Sequence, residues 1–158
     1  MQSDETGLSA QQQRDDRRFM AMALDEARKA GEMEEVPIGA VIIGPKGTVI
    51  GRGHNLTETL NDVTAHAEIQ AITAACGTLG GKYLPGCTLY VTVEPCLMCA
   101  GAIAWAQIGR VVYGASDSKR GFSTFHPMPF HPKATVTSGV MAHECGALVT
   151  EFFRRRRK

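Results

Sequence analysis

A chain of 158 residues and 17.0 kDa suffices for one domain of ordinary size and leaves little room for a second independent core. Hydrophobic residues make up 44% and charged residues 21%, which excludes a chain too polar to fold, and the longest apolar run, Cys96 to Ala106, is eleven residues against the ~20 that a membrane-crossing helix needs. The formal charge of +1 hides an asymmetry, because residues 1 to 109 carry 8 basic and 13 acidic side chains whereas residues 110 to 158 carry 9 and 3. That positive end finishes in Arg154, Arg155, Arg156, Arg157 and Lys158, a run able to neutralise phosphates or to remain a solvated tail. The first residues show neither a basic start nor an apolar stretch of a targeting segment, so a cytoplasmic location without membrane contact is expected.

In chain order, residues 1–17 read as a disordered segment and 18–158 as the folded domain. Phe19, Ala23, Ala27 and Ala30 recur at helical spacing, with Gly31 as the stop. Ala40 to Ile43 and Thr48 to Ile50 are β-rich and flank Gly44-Pro45-Lys46-Gly47, the composition of a hairpin connection. Thr64 is suited to cap a helix with Ile69, Ile72 and Cys76 on one face, ending near Gly77. Thr88 to Val93 reads as a buried strand, Leu97 to Ala106 as an apolar helix, and Val111 to Tyr113 as a further strand. Residues 121–132 are a loop with three prolines, Thr135 to Thr137 extends briefly, and Met141, Cys145, Leu148 and Phe152 form the stripe of a last amphipathic helix. The alternation predicts an α/β fold layered about a mixed sheet.

Five cysteines without a secretion signal argue against a disulfide framework. Two of them stand in Pro95-Cys96-Leu97-Met98-Cys99, where the i, i+3 spacing turns both sulfurs to one side of a helical turn. His66-Ala67-Glu68 opens the preceding helix. Two thiolates and an imidazole suit Zn²⁺, and three protein ligands leave a position for water, the arrangement of a catalytic rather than a closed structural site. Helix N-termini aimed at the metal favour thiolate over thiol. Glu68, two residues past His66, is placed as the proton shuttle that hydrolytic deamination requires. His-x-Glu with Pro-Cys-x-x-Cys is the signature of zinc-dependent nucleobase deaminases. Alone, each half has a plainer reading, a redox pair or half of a structural zinc site for the cysteines and chance for the His-x-Glu. Cys76, Cys87 and Cys145 read as core residues, Trp105 as core or subunit interface, and His126 and His131 as either substrate contacts or solvated loop residues.

With Thr-Ala-His-Ala-Glu-Ile at 64–69, the run Leu89 to Ala102, Ile-Gly-Arg-Val-Val-Tyr-Gly at 108–114, Glu-Val-Pro-Ile-Gly-Ala at 35–40, Gly-Ala-Ser-Asp-Ser-Lys at 114–119 and Glu-Phe-Phe-Arg at 151–154, the chain resembles the bacterial tRNA-specific adenosine deaminase (TadA) family from about residue 18 onward. That resemblance implies the three-layer α-β-α cytidine deaminase-like fold with a five-stranded mixed sheet. It implies conversion of adenosine to inosine at the wobble position of a tRNA anticodon stem-loop, by a homodimer with one Zn²⁺ per monomer. His66, Cys96 and Cys99 match the ligands and Glu68 the general acid/base. Asn55 matches a residue that hydrogen-bonds the flipped nucleoside, Val36, Pro37 and Ala67 match pocket residues, and Asp117, Lys119, Phe153, Arg154, Arg155 and Arg156 fall where the family contacts RNA. The stretch Arg120 to Pro132 is shorter and richer in proline than that of the best-known members. Two other readings stay open: a deaminase of free guanine, cytosine or cytidine, and a noncatalytic zinc-stabilised RNA-binding module. The small residues Ala100, Gly101, Ala102 and Ala104 suit either close approach of a second subunit or packing on the chain's own sheet.

Overall fold

A computed structural model describes residues 7–125 and 129–156. Its elements are α1 (Ala10–Glu32), β1 (Gly39–Ile43), β2 (Val49–His54), α2 (Ala67–Leu79), β3 (Thr88–Val93), α3 (Leu97–Trp105), β4 (Arg110–Ala115), β5 (Thr135–Thr137) and α4 (Ala142–Arg156), with one 3₁₀ turn at Phe122–Thr124. One sheet holds all five strands in the order β2-β1-β3-β4-β5. β1 pairs antiparallel with both β2 and β3, while β3, β4 and β5 run parallel, so the sheet is mixed as expected. The parallel step from β3 to β4 needs a crossover, and α3 supplies it. All five residues of β1 are buried, consistent with its unbroken apolar sequence and with helices covering both faces of the sheet.

Alternate strand residues face opposite layers. Ala40, Ile42, Leu89, Val91 and Val111 pack with Ala67, Ala71 and Ala75 of α2 and Ala100 and Ile103 of α3. Val41, Ile43, Tyr90 and Val112 pack with Phe19, Met20, Ala23 and Leu24 of α1 and Cys145 of α4. The result is the three-layer α-β-α arrangement. The buried face of α2 is its alanine row, and Ile69, Ile72 and Cys76 are only half-buried beside it, which corrects the expected apolar stripe. The reason lies in β2, where a Cβ at Gly51 would stand 2.5 Å from the Ala71 carbonyl oxygen and one at Gly53 2.6 Å from that of Ala67. Helix and strand backbones meet there with nothing larger than alanine between them. α2 also begins later than expected, with His66 rather than Thr64 at its N-cap, and Thr64 donates instead to Asp62, 2.7 Å away.

Residues 10–17, expected to be disordered, form the first two turns of α1. Ser9 caps the helix by accepting from the Gln12 amide at 3.0 Å. Asp16 is 1% exposed, takes both guanidinium arms of Arg110 at 2.8 and 2.7 Å and accepts from the Tyr90 hydroxyl at 2.7 Å. Arg110 also donates to Thr137 at 3.0 Å, so one polar cluster joins α1, β3, β4 and β5. A buried pair of this kind costs desolvation to form, and removing one partner strands the other charge. The five cysteines are free, with Cys87 and Cys145 buried as expected and Cys76 half-buried. Trp105 is 84% exposed, which removes it from the core. Among the described residues no helix is long and apolar enough to cross a membrane.

Candidate active site

α2 and α3 begin side by side at one end of the sheet. His66 and Cys96 occupy their N-cap positions in extended backbone conformation, and neither side chain caps its own helix, so both are free to turn to a common point. Cys99 follows within the first turn of α3. His66 Nδ1 lies 3.7 Å from Cys96 Sγ and 3.3 Å from Cys99 Sγ, and the three ligand atoms lie within 4.8 Å of one another. Zn–N and Zn–S bonds of about 2.0 and 2.3 Å at a tetrahedral angle separate nitrogen from sulfur by about 3.5 Å, so this triad fits zinc without rearrangement. It is the one such group of histidine, cysteine or acidic side chains among the described residues.

The Cys99 thiol beside Cys96 holds the Cys96 sulfur down at about 4 against the opposing effect of burial, with help from His66. Sharing its proton with Cys96, together with burial, pushes Cys99 well above the ordinary thiol range. Contact with Cys96 likewise raises His66 against its burial. A thiolate next to a shared proton is a donor set suited to a cation, and His66, Cys96 and Cys99 would hold zinc with release of that proton. Glu68, 4% exposed in the first turn of α2, is raised to about 7 by burial, only partly offset by its backbone hydrogen bond and by His66. A carboxyl that changes protonation near neutrality is suited to accept and return a proton.

The triad opens into a cavity of ≈ 360 Å³, within the range of small-molecule sites. Of the residues expected at the site, His66, Cys96, Glu68, Asn55, Val36, Ala67, Asp117 and Phe153 line it. Asn55 is 7% exposed, donates to the Val36 carbonyl at 3.5 Å and accepts from the Thr57 amide at 3.3 Å. Pro37 is buried behind this wall, facing Gly31 at the end of α1, and Ile38 takes the lining position. Lys119 lines an adjoining depression instead, shared with Asp117 and Val149. His131 lies away from the cavity, and His126 falls outside the described residues.

Sequence reasoning missed Ile38, Thr57, Val93, Glu94, Arg120 and Val149, all of which line the cavity. Val149 was readable, since it and Phe153 form an i, i+4 row next to the core stripe of α4. Glu94 is 4% exposed and accepts from the Asp117 amide (3.1 Å), the Ser123 amide (2.9 Å) and the Ser123 hydroxyl (2.6 Å). A Cβ at Gly121 would collide with its carboxyl group, so loop 117–123 is wrapped tightly round this carboxylate. Glu35, fully buried, does the same for the loop after Asn55, accepting from the Glu58 amide (3.1 Å) and from the Thr59 amide and hydroxyl (both 2.6 Å). Two buried carboxylates thus shape two of the loops that form the cavity.

On α4, Phe152 is 4% exposed and anchors the helix, whereas Phe153 reaches the cavity. Arg154 pairs with Glu151 at 2.7 Å, Arg156 donates to the Glu34 carbonyl at 2.6 Å, and Arg155 is exposed. Arg157 and Lys158 lie outside the described residues.

Residues 13–115 match the family model for the cytidine and deoxycytidylate deaminase zinc-binding region. The chain is 50% identical over 144 residues to a tRNA-specific adenosine deaminase of Agrobacterium fabrum, covering 88% of this chain and 94% of that one. It is 47% identical over 148 residues to a tRNA-specific adenosine deaminase of Bacillus subtilis, covering 90% and 91%. Among solved structures, one from a study of A-to-I editing by tRNA:A34 deaminases at the wobble position of transfer RNA superposes with a TM-score of 0.77 at 50% identity, over 83% of this chain and 98% of that chain. With its His-Cys-Cys triad, its buried glutamate and this extent of similarity, the chain belongs to the cytidine and deoxycytidylate deaminase zinc-binding family.

Proposed function

We propose that this protein is a zinc-dependent tRNA adenosine deaminase that hydrolyses adenosine to inosine at the wobble position of an anticodon stem-loop. The observation that carries the reading is a three-ligand metal site with a buried glutamate beside it, opening into a cavity walled by Asn55 and Phe153, in a chain half identical to named tRNA-specific adenosine deaminases.

Held by His66, Cys96 and Cys99, one zinc ion per chain supplies the activation of the attacking water. Glu68 accepts a proton from that water as its oxygen bonds to C6 of adenine, and delivers the proton to the neighbouring ring nitrogen N1. It then takes the remaining proton from the new C6 hydroxyl and gives it to the amine, so that the C6–N bond breaks, ammonia leaves and the C6 carbonyl of inosine remains. Asn55 presents a side-chain amide, held by Val36 and Thr57, to the nucleoside, while Val36, Ala67 and Phe153 close on its apolar faces. Flipping a base out costs a few kcal/mol and least in an unpaired loop, so an anticodon loop is the cheaper target. The binding energy then comes largely from outside the cavity, from Lys119 beside it and from Arg154 and Arg155 on the exposed side of α4, with Asp117 at the cavity wall.

The proposal includes a twofold dimer acting in the cytoplasm, where its tRNA substrate is found. Trp105 (84% exposed), Tyr83 (46%), Leu97 (45%) and Met98 (40%) expose apolar surface on and near α3, and Gly101 and Ala104 lie beside Tyr83 and Trp105 without a bulky side chain. A patch of this kind is suited to a second copy of the chain. The test of function is incubation with bulk tRNA and, separately, with free guanine, cytosine and cytidine, reading inosine and ammonia. Inosine in tRNA is the expected result. Rapid release of ammonia from a free base with no inosine in tRNA overturns the reading.

A further inference from the structure

The last turn of α4 and the turn between α1 and β1 are 122 residues apart in sequence and touch through one side chain. Arg156 Nη2 donates to the Glu34 carbonyl at 2.6 Å, with a Glu34 carboxylate oxygen 3.6 Å away. Its guanidinium carbon lies 4.6 Å from the centroid of the Phe152 ring, so the side chain folds back over the helix anchor before reaching across. Glu34 has φ of 63°, an uncommon backbone conformation for a residue other than glycine, and it begins a short strap. The Glu35 amide donates to Ala30 at 2.9 Å while its carboxylate holds the amides of Glu58 and Thr59. The Val36 carbonyl accepts from Asn55, and the Asn55 amide donates to the Ile38 carbonyl at 3.1 Å. Val36, Ile38 and Asn55 line the cavity from this strap, and Val149 and Phe153 line it from α4.

We propose that Arg156 is a positioning residue that clasps the C-terminal helix to the 34–36 strap, and so fixes the cavity wall carrying Asn55 against the wall carrying Phe153, rather than a phosphate contact of the basic tail. Arg156 differs in this from its neighbours. Arg154 pairs its guanidinium with Glu151 of the same helix, and Arg155 is exposed and makes no ion pair among the described residues. The proposal rests on the deaminase reading only for its kinetic consequence, since the clasp itself is a property of the free protein.

The first measurement is therefore hydrogen exchange on zinc-loaded, RNA-free protein, comparing wild type with Arg156→Ala. The expected result is about tenfold faster exchange at the amides of Glu35, Ile38, Asn55, Glu58 and Thr59, with zinc content and helical signal unchanged. Arg156→Lys, which keeps a donor on a long stem, recovers the protection. Acceleration confined to the last turn of α4 overturns the clasp. The second measurement is tRNA deamination against salt. The clasp predicts that Arg156→Ala lowers kcat about tenfold while the salt dependence of KM stays at the wild-type slope. A raised KM with a slope shallower by about 0.7 and an unchanged kcat identifies a phosphate contact and refutes the proposal. If wild type edits no tRNA, the functional reading fails and the exchange result still decides the clasp.

Discussion

Replacing Glu94 by glutamine tests how a carboxylate outside the metal triad supports the site. The change keeps volume and shape, so no cavity forms, and the whole effect comes from hydrogen bonding. One carboxylate oxygen of Glu94 takes the Asp117 amide at 3.1 Å, and the other takes the Ser123 amide at 2.9 Å and its hydroxyl at 2.6 Å. Glutamine has one acceptor oxygen, so its best placement keeps the two Ser123 bonds and turns an NH₂ donor toward the Asp117 N–H. That loses one bond to a charged acceptor, worth about 1.5–3 kcal/mol, and weakens the other two by removing the charge. Ser123 is exposed and can turn to water, which limits the further loss, so the expected destabilisation is about 2–3 kcal/mol. Loop 117–123 carries Asp117 and Arg120 to the cavity, and the Phe122 amide donates to the Pro95 carbonyl at 2.9 Å, next to Cys96. A loosened loop therefore reaches the reaction, and kcat/KM for tRNA falls about tenfold with zinc retained. Urea unfolding, zinc analysis and a deamination assay on the same preparation read all three. Stability within about 0.5 kcal/mol of wild type together with unchanged kcat/KM refutes the reasoning, because ordinary surface substitutions do no more than that.

Cys96→Ala loses zinc by elemental analysis, whereas Glu68→Ala keeps zinc and fold and loses about 10²- to 10⁴-fold in rate; retained zinc in the first or near-normal turnover in the second removes that residue from its role. Burial raises the Glu35 carboxyl, but the hydroxyl and amide of Thr59 and the amide of Glu58 outweigh it and hold it below the ordinary glutamate value. The stability it contributes is thus complete above the unfolded value and is lost as pH falls through the folded one, so the gap between wild type and Glu35→Gln in urea unfolding is constant near neutrality and narrows below about pH 4.5; a gap that widens on acidification contradicts this. Arg155→Ala raises KM for tRNA and flattens its salt dependence by about 0.7 in log–log slope, and an unchanged slope rejects a phosphate contact there. Trp105→Glu converts a dimer into 17.0 kDa particles in sedimentation at micromolar concentration, and a wild type that is itself monomeric and fully active removes the dimer from the proposal.

The metal centre was legible because its residues sit within two short motifs, and the i, i+3 spacing of Cys96 and Cys99 already turns both sulfurs to one side of a helical turn. Strands β3 and β5 were legible to the residue, since each is a β-rich run bounded by glycine, proline or polar residues. Residues 10–17 were misread for the opposite reason. Their helix is polar, and the one strong reason for it to dock is Asp16, whose partner Arg110 lies 94 residues further on. The same holds for Glu35 and Glu94, because a carboxylate in a sequence reads as surface, and only the folded loops show the amides that make its burial tolerable. The face of α2 was misjudged because periodicity favours large apolar side chains, while the contact surface was decided by Gly51 and Gly53 on another element.

Trp105 is the only tryptophan of the chain, and at 84% exposure it stands clear of the metal cavity. The protein therefore carries an unlabelled optical probe on the face proposed to meet a second copy. Fluorescence excited in the indole band comes from a single solvated ring in the isolated chain and moves to the blue when that ring is covered. Dilution followed by emission wavelength reads self-association at concentrations far below those needed for scattering, with the cavity, the metal ligands and α4 left untouched.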